Sequence, residues 1–298
     1  MDVASATNVP NEPTTLSKEE SVLRAELLWM LETQAPPLVA EVGTIIKTGL
    51  ACCTPSSADA GPNQRSTASA TLAVTSANSD LLKGFVTIDG TAIIKGELTL
   101  KLPHYNRGNV IKLTINSANP PILHQVQTAR NYLLLALEAF ESQPNAAHDR
   151  DSLLQLLHRV SAIVKKAKAA LVRIDESDIF PNKECDIKLL QLSSMIPKVF
   201  APDLPDDLVV EFHVIQSNLV VSVYALNFHQ PGIPLQFQSK ILGKFKNIKL
   251  DTYKGRPVEI LDELTVESAS PRLATLVRSI DTLDGLCEEM RIKLQILR

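Results

Sequence analysis

The sequence predicts an α+β fold in which an antiparallel four-helix bundle, built from N-terminal, middle and C-terminal helices, stands beside an antiparallel β domain. Three observations predict it. Apolar residues recur at helical spacing near both ends and in the middle of the chain, they alternate with polar residues over 72–116 and 208–223, and the C-terminal stripe has a heptad period. The expected division is a helical domain of 17–53, 121–174 and 270–298, a β domain of 71–117 and 185–268, and disorder over 1–16 and 54–70.

Residues 1–16 are polar and contain Pro10 and Pro13, which suits a disordered tail. Ser17 with Glu20 three residues later has the spacing of a capping box, and Val22, Leu23, Leu27, Met30 and Leu31 follow at helical intervals. Pro36 and Pro37 are expected to break or kink this helix. The spacing resumes at Leu38, Val42, Ile45 and Ile46, with Pro37 as the first residue of a second segment. Small and polar residues dominate 54–71, which predicts a flexible loop.

A period of two begins at Leu72. Leu98, Leu100 and Leu102 alternate with Glu97, Thr99 and Lys101, and Ile111, Leu113 and Ile115 alternate with Lys112, Thr114 and Asn116. These are half-buried antiparallel strands, with turns expected at Gly84, Asp89-Gly90 and Arg107-Gly108. After Pro120-Pro121 the helical period returns, first through Ile122, Val126, Ala129, Leu133, Ala136, Leu137 and Phe140. Beyond a turn at Pro144-Asn145 it continues through Leu153, Leu156, Leu157, Val160, Ile163, Val164, Ala167 and Leu171, which predicts a helical hairpin. A short helix is expected over 187–195.

Leu208, Val210, Phe212 and Val214 then share one strand face, and Leu219, Val221 and Val223 share another after a turn at Gln216-Ser217-Asn218. Less regular strands are expected over 241–250 and 258–266, joined by Lys254-Gly255. Ser270-Pro271 reads as an N-cap with proline at the first helical position. Leu276, Ile280, Leu283, Cys287, Met290, Leu294 and Leu297 form a seam of about three heptads. Left bare, each such Leu or Ile would cost about 1.5 kcal/mol or more, so the seam is expected inside the molecule; an intermolecular coiled coil is the alternative.

Composition excludes several kinds of function. Thirty Lys and Arg against 33 Asp and Glu give a formal charge of -3, which offers no positive excess for nucleic acid or an anionic membrane. Residues 1–17 lack the features of a signal peptide, and no apolar run approaches the length of a membrane span, so a cytoplasmic protein is expected. Cys52, Cys53, Cys185 and Cys287 have no metal-claw spacing and are expected to stay reduced. The six histidines, His104, His124, His148, His158, His213 and His229, are scattered, and no phosphate loop, dinucleotide fingerprint or nucleophile elbow is present.

Four clusters have a plainer and a sharper reading. Cys185 between Glu184 and Asp186 could be a nucleophile, but neighbouring acids disfavour its thiolate. Asp203, Asp206 and Asp207 fit a proline-stiffened turn better than a calcium site. His213 is expected to face the surface from its strand. Arg159, Lys165, Lys166, Lys168 and Arg173 fit a solvated helix face better than a patch for acidic partners. The residues therefore nominate no catalytic, cofactor-binding or metal-binding side chain.

The chain resembles the Rogdi family, whose fungal members are the smaller subunit of the RAVE complex. The resemblance is carried by Leu82-Lys83-Gly84, by Leu100-Lys101-Leu102-Pro103, and by Gln127-Thr128-Ala129-Arg130-Asn131. It continues in Phe200-Ala201-Pro202-Asp203-Leu204-Pro205-Asp206-Asp207-Leu208-Val209, and in Asn218-Leu219 through Val223-Tyr224-Ala225-Leu226. The insert at 54–71 and the stretch 229–256 depart from the pattern. The resemblance implies a non-catalytic adaptor that needs no cofactor. It would work with a large β-propeller-bearing subunit of the RAVE or rabconnectin type and with peripheral-sector subunits, to promote assembly of the vacuolar proton-translocating ATPase. It also implies recruitment to vacuolar or endosomal membranes through partners.

Overall fold

A computed structural model describes residues 15–56, 69–76, 80–182, 198–229 and 249–297. The N-terminal helix begins with α1 (Thr15–Trp29), so Ser17 lies inside the helix rather than capping it. The prolines do not break the chain's course. A π-helical turn over Met30–Gln34 leads straight into α2 (Ala35–Cys53), and Pro36-Pro37 occupy its first turn. The helix takes them in at the π turn, where the Ala35 amide donates back to the Met30 carbonyl and the two missing N–H groups fall at the change of hydrogen-bond pattern. The remaining α-helices among the described residues are α3 (His124–Glu141), α4 (Arg150–Val172) and α5 (Pro271–Ile296). Asp149 caps α4 by accepting from the Ser152 amide at 2.9 Å, and Ser270 caps α5 by accepting from the Leu273 amide at 3.3 Å.

Among the described residues nine strands form two antiparallel sheets. The first runs β1 (Ala70–Thr75), β2 (Leu82–Asp89), β3 (Ala92–Leu100), β4 (Ile111–Ile115) and the short β5 (Phe200–Ala201), in sequence order. The second comprises β6 (Leu208–Ile215), β7 (Asn218–Phe228), β8 (Leu250–Tyr253) and β9 (Arg256–Ala269), in the order β6-β7-β9-β8. The expected turns at Asp89-Gly90, Arg107-Gly108, Gln216-Ser217 and Lys254-Gly255 all contain residues with positive φ. Gly84 is different: it sits within β2 opposite Leu98, where a Cβ would lie 2.0 Å from the carbonyl oxygen of Glu97. The glycine permits close strand approach and makes no turn.

The fold departs from the class that the sequence predicts. An α+β protein is what forms, but a four-helix bundle with one β domain is not. The N-terminal segment is one long helix rather than two, the strands divide into two sheets, and one continuous apolar cluster joins helices to both sheets. That cluster runs from Val42 and Ile46 on α2, through Leu82 and Leu98 in the first sheet, to Val214 and Val221 in the second. The physical reason is that alternation tells which face of a strand is buried but not what covers it. The heptad seam, by contrast, is enclosed: Leu276, Ile280, Leu283, Cys287, Met290, Leu294 and Leu297 are all buried, with α5 packed against α2 and α4.

Side chains from motifs far apart in sequence tie the sheets together. Ser268 on β9 donates to the Ala73 carbonyl on β1 at 2.6 Å. The loop after β3 reaches the second sheet twice, through the Tyr105 hydroxyl donating to Asp207 at 2.7 Å and the His104 amide donating to Asp262 at 2.8 Å. Asp207 is thus a structural acceptor. Burial, reinforced by the hydrogen bond to Asp207, pushes the Tyr105 phenol well above its usual range. The expected helix at 187–195, most of the expected strand at 241–250, most of the loop at 54–71, and Glu184-Cys185-Asp186 lie outside the described residues.

Candidate functional site

A cleft of about 660 Å³ opens along the outer edge of β6. Its other walls come from the start of α3, the connection that follows α4, and residues 198–206. This is the scale of a ligand or peptide cleft. Its apolar floor includes Ile179, Phe200, Leu204, Val210 and Phe212, with the Phe200 and Phe212 rings stacked at a centroid distance of 6.1 Å.

Strand β6 is the edge of its sheet, and edges are usually shielded. Here the two ends are shielded. The Gln125 side chain of α3 imitates a neighbouring strand, its Oε1 accepting from the Val214 amide at 2.6 Å and its Nε2 donating to the Val214 carbonyl at 2.7 Å. At the other end the Leu208 amide donates to the Pro205 carbonyl at 3.1 Å. Backbone groups that face outward recur every second residue, so Val210 and Phe212 also present their amides and carbonyls away from β7. Among the described residues nothing pairs with those four groups.

The cleft is negatively charged. Asp175, Asp178, Asp203, Asp206 and Glu211 line it against Lys198 and Lys254. Lys198 is paired with Asp203. Asp175 accepts from the Ser177 amide at 3.0 Å and hydroxyl at 2.8 Å, which holds its carboxyl below the usual range and keeps it ionised. Glu211 is buried and accepts from the Phe180 amide at 3.0 Å. Asp178 and Asp206 are exposed and make no ion pair among the described residues.

The structure therefore brings together Asp203 and Asp206 of the proline-stiffened turn with His213, while Asp207 is not part of the lining and holds Tyr105. His213 is half-buried rather than surface-facing, with Nδ1 out of solvent and without a hydrogen-bond partner among the described residues. The basic residues of α4 stay exposed, but two are used within the molecule, Lys168 pairing with Asp281 at 2.7 Å and Lys165 with Asp284 at 3.7 Å. Cys52, Cys53 and Cys287 are buried free thiols. Burial raises all three, with Cys53 and Cys287 pushed up to about 12, so they are protonated and poorly nucleophilic. No three His, Cys, Asp or Glu side chains among the described residues are placed to hold a metal.

Sequence reasoning missed the cleft. The pairing of Gln125 with Val214 spans 89 positions, and no local pattern announces it. The one available signal was the crowding of Asp203 and Asp206 just before an alternating strand.

The chain is thus an α+β protein with a cleft lined by strand backbone, apolar side chains and carboxylates. Residues 26–249 match the family model described as Rogdi leucine zipper containing protein, and the chain belongs to the Rogdi family. It is 24% identical over 221 residues to Protein rogdi homolog of Homo sapiens and equally to that of Pongo abelii, covering 74% of this chain and 72% of each relative. It is 30% identical over 150 residues to Protein rogdi of Drosophila melanogaster, covering 49% of this chain and 52% of the relative. The match includes the first sheet, β6, β7 and the cleft residues other than Lys254, while most of α1 and all of β8, β9 and α5 lie outside it.

Proposed function

We propose that the protein is a non-catalytic adaptor, the smaller subunit of a RAVE-like complex that promotes assembly of the peripheral and membrane sectors of the vacuolar proton-translocating ATPase. Its direct partners would be a large β-propeller-bearing subunit of the RAVE or rabconnectin type and peripheral-sector pump subunits. Membership of the Rogdi family is the observation that carries this reading. The burial of the heptad seam supports it over a coiled-coil trafficking dimer, because the surface such a dimer needs is already covered by α2 and α4. No helix of the described residues is long and apolar enough to cross a membrane, which suits a cytoplasmic protein recruited to vacuolar or endosomal membranes by its partners.

The test is deletion of the gene together with affinity capture of the tagged full chain from extract. Defective organelle acidification and capture of a much larger propeller-bearing protein are expected. Normal acidification in the deletion strain would overturn the pump assignment. Replacing Cys185 by Ser is expected to leave acidification unchanged; loss of function would reopen a thiol-dependent hydrolase reading.

A further inference from the structure

We propose that the cleft beside β6 binds an extended segment of a partner protein carrying Lys or Arg side chains, which joins the second sheet as an added strand. Two features that are chemically unrelated meet in this cleft. The first is an edge without a partner among the described residues: Val210 and Phe212 turn two amides and two carbonyls outward, while Gln125 and the Pro205 carbonyl close the strand on either side. Unpaired edge groups bind peptide backbone by making the hydrogen bonds of a new ladder. The closed ends limit the insertion to a few residues centred on 210–212, with about four backbone hydrogen bonds.

The second feature is charge. A strand laid on this edge has alternate side chains pointing to opposite faces, so one set meets the apolar floor of Val210, Phe212 and Phe200. The other set meets a rim in which Asp178 and Asp206 are exposed and make no ion pair among the described residues, and the Asp175 carboxyl is held below its usual range by Ser177. Basic side chains complement that rim, and acidic ones would be repelled. Both features are needed: backbone pairing supplies affinity, and the carboxylates select the sequence. This proposal extends the adaptor reading by naming a surface and the chemistry of its occupant. It rests only on the cleft, so it is tested on purified protein and stands apart from the acidification result.

The experiment uses the full chain and a fluorescein-labelled eight-residue peptide of alternating valine and lysine, followed by fluorescence anisotropy. Saturable binding is expected, weakening at least tenfold when the lysines are replaced by glutamate or when every second peptide amide is N-methylated. The exposed pair D178N and D206N, combined in one variant, is expected to weaken the lysine peptide about tenfold and leave the melting temperature unchanged. Hydrogen exchange gives a readout independent of any variant: the Val210 and Phe212 amides should exchange quickly in the free protein and slow on adding peptide. Equal binding of the N-methylated or glutamate peptide would overturn the proposal. So would absence of binding, or slow exchange at both amides in the free chain, which would mean that the edge is already covered.

Discussion

The guanidinium of Arg272, at the start of α5, lies 3.3 Å from the carboxylate of Asp89, at the end of β2, and both residues are buried. The same guanidinium donates to the carbonyls of Cys52 at 2.7 Å, Thr54 at 2.6 Å and Ala51 at 3.2 Å, where α2 ends. The last carbonyls of a helix have no partner within it and carry partial negative charge, so a cation there satisfies both needs. Asp89 also accepts from the amide and hydroxyl of Ser56 at 2.9 and 3.0 Å. Gly90 makes room for this meeting: its φ is +60°, and a Cβ there would lie 2.7 Å from the nitrogen of Pro55. One planar side chain therefore fastens three elements that are distant in sequence.

Removing that side chain leaves the buried Asp89 carboxylate with its Ser56 donors but no compensating cation, and takes a charged donor away from the carbonyls at the end of α2. Arg272→Met is expected to cost about 3–5 kcal/mol, as is usual when one member of a buried pair is removed. Arg272→Lys should recover only part of this, because an ammonium cannot span carbonyls placed around a planar fork. Urea unfolding of the three proteins checks the order; a wild-type midpoint for Arg272→Met would show that the tie contributes nothing.

Gly84 makes the next prediction. Gly84→Ala puts a methyl group within 2.0 Å of a backbone oxygen of the neighbouring strand, which a side-chain rotation cannot relieve. The strands must separate locally, and a loss of about 2–3 kcal/mol is expected. Thermal unfolding measures it, and Gly285→Ala is the control, since a Cβ there meets nothing within 4 Å.

The seam on α5 is tested at Leu283, which is almost wholly buried. Leu283→Ala should cost about 2–5 kcal/mol through the lost contacts and the cavity left behind. Leu283→Asp should be worse, unfolding the protein rather than selectively weakening a partner, because the new charge has no solvent. Equal melting curves for wild type and Leu283→Asp would mean that the seam is open in solution.

What was legible in the sequence is whatever a short stretch decides by itself. The stripes of α3, α4 and α5 and the alternation of β3, β4, β6 and β7 each follow from one period, and Ser270-Pro271 marks the start of α5 without help from the rest of the chain. The π turn at 30–34 was not legible: local chemistry says that Pro36 and Pro37 interrupt a helix. That the helix resumes in line depends on burying Met30, Leu31 and Ala35 against other elements. The two sheets were missed for the same reason, since nothing in Leu98 or Val221 names its neighbour. The cleft depends on pairings across the molecule, Gln125 with Val214 and Phe180 with Glu211, and so became visible only with the fold.

The thiols give a chemical check on the core. Cys52, Cys53 and Cys287 are buried and held protonated, so a thiol reagent at pH 8 should modify no more than one group per native chain, that one being Cys185. All four should react in denaturant. Modification of two or more in the native protein would show that the helices open on the timescale of the reaction.

His213 gives the pH dependence of stability a definite sign. Burial lowers its affinity for a proton below the ordinary value of 6.5, against a smaller opposing pull from Glu267. The unfolded chain therefore takes up a proton at His213 in a range where the folded chain resists it. Stability linked to this residue is present above about pH 6.5, falls as the pH drops through that value, and levels off once the folded histidine also protonates. His213→Gln removes the titration while keeping a polar side chain on β6. Between pH 7.5 and 5.5 the wild-type urea midpoint should fall more steeply than that of His213→Gln. Parallel slopes would show that the histidine keeps its ordinary proton affinity in the fold, and a steeper fall in the variant would reverse the assigned sign.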